Sequence, residues 1–317
     1  MKNRIRKKNG INYILFLFTL ISSLMIFFTY ESAAQCGCIG GASVGSIGIG
    51  TSSSDAGILK KDFIRSILAY RYSSGDKYFN GDVKSDQGII NSFNNHLTLL
   101  NIGYGLTNDV TLEAEVTYSP HKEQDFGVYK LSGSGFSNFA VSGKYNFLRS
   151  ILNEVEISGG AGVRVPFNQN NDLPQYISAS SGAYSIFSNF FIFKGFKKSG
   201  LNLLLANHLE YSFENTNNFK YGTNISTAFF ISQNIVEKLT GIFEVRNDIR
   251  LKDYYMDEIY EDSGYNILIL SPHLNYIIED VNINVNFDYP IYKYFNGKQL
   301  TYDYILGLTL QYSFKMD

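Results

Sequence analysis

Hydrophobic side chains recur along this chain at every second position, in stretches separated by polar segments. In an extended strand that spacing puts the apolar side chains on one face and the polar ones on the other. Val110, Leu112, Ala114, Val116 and Tyr118 alternate with Thr111, Glu113, Glu115, Thr117 and Ser119. Later, Val281, Ile283, Val285, Phe287, Tyr289 and Ile291 alternate with Asn282, Asn284, Asn286 and Asp288. The final stretch, Tyr302 to Phe314, sets Tyr304, Leu306, Leu308, Leu310, Tyr312 and Phe314 against Ile305, Gly307, Thr309, Gln311 and Ser313.

Nine further stretches follow the same rule, at 63–72, 96–106, 136–147, 155–167, 185–193, 201–214, 221–233, 239–252 and 265–278. The pattern of 185–193 and 221–233 does not say which face is which. The total is about 12 strands, an even number, and the connections between them run long, short, long, short for most of the chain. One face suits lipid and the other a wet lumen, and a strand in a bilayer needs partners on both edges. The reading is therefore an all-β transmembrane antiparallel β-barrel over residues 60–317. A soluble β-sandwich also alternates, but gives no reason for loops to alternate in length. Pro166 and Pro290 fall near expected strand ends, while Pro272 lies inside its strand, where a bulge is expected.

Composition agrees: the formal charge is -2, and 24 Tyr and 25 Phe with no Trp give an aromatic share of 15%. This balance does not suggest nucleic acid as a partner. The amino terminus is of another kind. Lys2, Arg4, Arg6, Lys7 and Lys8 precede an apolar run from Ile11 to Tyr30 and then Ser32-Ala33-Ala34. That order makes residues 1–34 an expected secretory signal peptide, which with the barrel reading gives an outer-membrane destination, its long loops extracellular and its short turns periplasmic. An uncleaved anchor is the alternative. Residues 35–59 are a Gly/Ser-rich lead-in holding the only two cysteines, Cys36 and Cys38, which have no His or further Cys nearby to complete a metal site.

Several short pieces carry a family resemblance. Tyr70-Arg71-Tyr72 with Asp76-Lys77-Tyr78-Phe79, Tyr104-Gly105-Leu106-Thr107-Asn108, Gly135-Phe136-Ser137-Asn138 through Lys144-Tyr145, and Val163-Arg164-Val165-Pro166 resemble in type and order an outer-membrane barrel family. It is the one named for the phenol meta-cleavage pathway, described as transporters. Here Phe167-Asn168 stands where Thr-Gly is expected, and Ser119 separates Tyr118 from Pro120. The resemblance implies a barrel and a transport role over roughly residues 63–315; the family name does not make phenol the solute. The carboxy-terminal strand, with Gly307 followed by Leu310, Tyr312 and Phe314, resembles the signal read by the barrel-insertion machinery.

No catalytic constellation, metal-ligand set or cofactor motif stands out among these residues. His208 and Glu210 share the inward face and could form an acid-base pair, but a lumen salt bridge is the simpler reading. The inward charges are Arg65, Arg71, Glu113, Glu115, Lys144, Glu156, Arg164, Glu210, Glu244, Arg246, Asp248 and Arg250. Charges of both signs are expensive in lipid, so they are expected to line water or pair with one another. All but Glu156 are candidates for a solute path. The expected function is an outer-membrane channel or transporter for small polar or amphipathic solutes. The expected partners are outer-membrane lipid, the insertion machinery and a small-molecule solute. The alternative is a structural or adhesive barrel with a closed lumen and ligand-binding loops.

Overall fold

The computed structural model describes residues 57–167, 169 and 172–316. The early strands are β1 (Phe63–Gly75), β2 (Lys77–Gly81), β3 (Val83–Ser85), β4 (Ser92–Gly105), β5 (Val110–Asp125) and β6 (Lys130–Ser150). The middle of the chain gives β7 (Val155–Pro166), β8 (Ser185–Phe196), β9 (Leu201–Ser212), β10 (Phe219–Lys220), β11 (Asn224–Val236) and β12 (Leu239–Arg250). The last are β13 (Asp253–Tyr255), β14 (Glu258–Tyr260), β15 (Tyr265–Ile278), β16 (Val281–Thr301) and β17 (Tyr304–Lys315).

Twelve of these close a barrel: β1, β4, β5, β6, β7, β8, β9, β11, β12, β15, β16 and β17 pair antiparallel in that order, and β17 pairs back onto β1. Closure leaves no strand edge, which separates this fold from a sandwich and satisfies the backbone of every spanning strand. Leu68, Leu100, Leu112, Val141, Val163 and Leu308 are exposed on the outer face, whereas Arg65, Arg71, Lys144, Arg246 and Asp288 are buried inside. The two open facings are settled as well. Asn189, Phe191, Ser226 and Phe230 point inward, and Ile186, Phe190, Phe229 and Ile231 outward.

Three expectations need correction. The long connection at 120–134 is mostly paired strand, because β5 and β6 run on to Asp125 and Lys130, and the register slips beside Pro120. Pro290 is not near a strand end, since β16 continues to Thr301. The expected bulge at Pro272 falls elsewhere: Pro272 stays in register with Phe243, while the β15–β16 register shifts between Leu268 and Ile269, leaving Ile291 as the extra residue beside Pro290. A strand residue directs its N–H to one neighbour only, so a proline need not disturb either ladder's register.

The far part of β16 pairs with β2, and β2 with β3, at the end of the barrel carrying the longer connections. There Tyr78, Phe93, Tyr265, Ile267, Ile269, Phe295, Leu300 and Tyr302 form a buried apolar cluster. A second cluster lies on the inner wall of β8, β9, β11 and β12, with Phe191, Leu204, Ala206, Ala228, Phe230 and Ile242.

Candidate functional site

Period-two spacing places Glu244, Arg246, Asp248 and Arg250 on one face of β12, so each charge lies within reach of the next on its own strand. Arg246 takes Glu244 at 2.8 Å and Asp248 at 3.0 Å, and reaches Asp288 on β16 at 2.7 Å. Asp288 in turn binds Arg71 at 2.7 Å and accepts from the Ser271 hydroxyl at 2.6 Å. His273 Nε2 meets Glu244 at 2.9 Å, and Ser226 donates to Asp248 at 2.6 Å. Arg250 leaves this cluster and pairs with Asp253 at 2.6 Å, its guanidinium 5.0 Å from the Tyr221 ring centroid.

A second cluster joins β1, β5, β6, β7, β8 and β9. Glu113 is held by Arg65 at 3.0 Å and Lys144 at 2.8 Å. Arg164 bridges Glu115 and Glu210, both at 3.1 Å, and also donates to Asn138 at 2.7 Å. His208 contacts Asn189 at 2.7 Å and Glu210 at 3.4 Å, and Ser185 donates to Glu210 at 2.5 Å. Glu210 is thus engaged by Arg164, His208 and Ser185 together, the salt-bridge arrangement. Glu156 lies apart, with Arg149 at 2.9 Å.

All eleven solute-path candidates therefore face the interior and fall into these two clusters, apart from Arg250. Glu210 belongs to the Arg164 cluster and does not pair with the β12 ladder. Several interior groups were not among the candidates. Asp288 was legible as the last polar member of the Asn282, Asn284, Asn286 series, and His273 falls on the inner side of β15 with the buried Ser271 and Asn275. Asp253 lies in an acidic connection with no pattern to mark it.

Two cavities, of about 190 and 40 Å³, occupy the lumen. Arg164 lines both, so its bridge to Glu115 and Glu210 stands between them. The larger one is bordered by Gln175, Tyr176, Ser178 and Ser181 from the β7–β8 connection. Tyr176 donates to Asp253 at 3.0 Å, and Asn215 to the Ser181 carbonyl at 2.9 Å, tying that connection to its neighbours. Burial, helped by Asp253, raises the Tyr176 hydroxyl pKa, and burial pushes Tyr221 up to about 12. Both hydroxyls stay protonated at ordinary pH, Tyr176 donating to Asp253 and Tyr221 accepting from Gln175 Nε2.

At the opposite end the chain enters from the amino-terminal side. Ile58 and Leu59 are buried, and the Leu59 amide donates to Thr111 Oγ1 at 2.7 Å. A Cβ at Gly57 would stand 3.5 Å from Lys144 Nζ and 3.9 Å from the Phe191 ring. The backbone passes so close to Gly105 that a Cβ there would meet the Lys60 carbonyl at 2.0 Å. The end of the Gly/Ser-rich segment is thus a strap inside the barrel wall; the expected signal peptide and both cysteines lie outside the described residues. Among the described residues no three His, Cys, Asp or Glu converge as metal ligands.

No family model matches the chain, and neither does any curated protein. Solved structures do. The COG4313 outer membrane channel from Pseudomonas putida F1 superposes with a TM-score of 0.69 at 9% identity, over 82% of this chain and 98% of that one. This chain has the fold of an outer-membrane β-barrel. Weaker likenesses are the NanC porin, with a TM-score of 0.47 at 12% identity over 80% of this chain and 100% of that one, and the KdgM porin, at 0.45 and 11% over 78% and 99%. The similar structures are outer-membrane channels and porins.

Proposed function

We propose that the barrel is a channel of the outer membrane, carrying small polar or amphipathic solutes through a lumen of mixed charge. The observation that carries this reading is the pair of lumen cavities on either side of Arg164, inside a closed wall whose outer face is apolar. Arg65, Arg71, Glu113, Glu115, Lys144, Arg164, Glu210, Glu244, Arg246, Asp248 and Arg250 form the solute path. The longer connections face outward from the cell and the short turns face the periplasm, so the strap at Gly57–Leu59 enters from the periplasm. Residues 1–34 are removed on export, and β17 is read by the insertion machinery. Membership of the family named for phenol meta-cleavage is part of the same proposal, and rests on the motifs around Tyr70, Gly105, Phe136 and Val163.

A second reading, a closed barrel that works through its loops, is favoured by one specific feature. The apolar cluster around Phe295, Leu300 and Tyr302 packs against the inner wall at the long-connection end. Single-channel conductance of the purified protein in planar bilayers separates the two. Discrete current steps in KCl support the channel, and a silent, folded barrel supports the closed reading.

A further inference from the structure

The larger cavity has a lining more specific than mixed charge. Eleven neutral hydroxyl or amide side chains border it, among them Ser73, Asn95, Thr117, Ser137, Ser212 and Asn224, together with Tyr176, Tyr221 and Tyr302. The arginines on the same wall are already matched by carboxylates. Arg71 is held by Asp288, Arg164 by Glu115 and Glu210, Arg246 by Asp248 and Glu244, and Arg250 by Asp253. Lys122 donates to the Ser178 carbonyl at 3.4 Å. An incoming ion would have to compete with those pairs in a partly dehydrated space, where an unpaired charge is costly.

A neutral solute meets no such obstacle. Thr117 is 2% exposed, borders the cavity, and its Oγ1 has no hydrogen-bond partner. A buried hydroxyl without a partner costs free energy, which a solute hydroxyl recovers when the Thr117 side chain turns toward the cavity it borders. The volume, about 190 Å³, lies below the roughly 300–1,000 Å³ of drug-sized sites, which limits the occupant to a small molecule. The tyrosine rings add amphipathic surfaces for the C–H groups of such a molecule. From this lining we infer that the cavity is a binding site for a small neutral polyhydroxylated solute, a monosaccharide or polyol, on the channel's transport path. The inference rests on the channel reading and narrows its solute class.

The test is uptake of labelled glucose, gluconate and glucosamine by proteoliposomes holding the full-length mature protein, beside KCl conductance of the same preparation. The three solutes are close in size and differ in charge. Glucose is expected to enter faster than either charged analogue. Thr117→Val is expected to slow glucose uptake by about two- to tenfold, the effect of one hydrogen bond, and Thr117→Ser to restore it. KCl conductance with gluconate or glucosamine entering as fast as glucose, or with Thr117→Val equal to the parent, overturns the solute class and leaves the channel standing. Neither conductance nor uptake overturns both.

Discussion

Arg71 and Asp288 meet at 2.7 Å although 217 positions separate them in sequence, and their strands, β1 and β16, are not neighbours but flank β17. The contact therefore spans a strand on the inner face of the barrel. Asp288 holds Arg246 at the same distance, so one carboxylate is shared by two guanidinium groups.

Asp288→Ala should be a damaging single change in the lumen, because it removes the carboxylate that holds buried Arg71 and one of the three that hold Arg246. Breaking a buried ion pair from one side costs about 3 to 5 kcal/mol. The expected result is a lower urea midpoint for loss of the folded, heat-modifiable band, with Asp288→Asn less affected. An unchanged midpoint for Asp288→Ala would show that water already screens this cluster.

Arg246→Gln removes the cation shared by Glu244, Asp248 and Asp288 and leaves the lumen locally negative. The reversal potential in asymmetric KCl should shift toward cation preference. If selectivity stays the same in a variant that folds, these residues are scaffold and do not set the field along the path.

Gly105→Ala tests the strap. Its new methyl would collide with the Lys60 carbonyl, displacing Gly57–Leu59 from between Lys144 and Phe191. Under the channel reading, single-channel conductance should rise. A folded Gly105→Ala barrel with the parental current would mean that the strap does not constrict the pore.

Val285 is half exposed on the outer face and its neighbour Asn284 is buried on the inner one. Val285→Arg puts a charge into lipid at a cost of about 2 to 4 kcal/mol near the midplane. Folding yield into lipid vesicles should drop for Val285→Arg, yet hold for Val285→Leu and Asn284→Ser. Equal yields would contradict the register of β16.

Asp262 lies in the β14–β15 connection, where burial pushes its carboxyl up to about 6 from an ordinary 3.8. A raised carboxyl favours the neutral form in the folded protein. This connection should therefore gain stability as pH falls from 7 through 6 toward 4, opposite to a salt-bridged carboxylate. Amide exchange across residues 253–263 should slow relative to its intrinsic rate at pH 5, and Asp262→Asn should remove the difference. Faster relative exchange at pH 5 would refute it.

The strand count and nearly all facings could be read from the sequence because side-chain direction in a strand repeats every two residues, whatever lies around it. The inward set from Arg65 to Arg250 follows from that rule alone. Phe191 and Phe230 were harder, because aromatic residues occupy both faces of β8 and β11, and periodicity carries no information when both faces are apolar. Pro272 misled for a related reason: a missing N–H matters only through the neighbour toward which it points, which pairing decides.

By itself, then, the sequence determined a closed barrel of about twelve strands, with charges of both signs on its inner face. Only the tertiary structure decided which charges pair, since Arg71 and Asp288, or Arg164 with Glu115 and Glu210, meet through closure and strand stagger, properties of the whole sheet. It likewise decided that Gly57–Leu59 lies within the wall and that Tyr302 packs inside. Both are irregular segments whose positions are set by the space the barrel leaves and by contacts distant in sequence, and no local period records either.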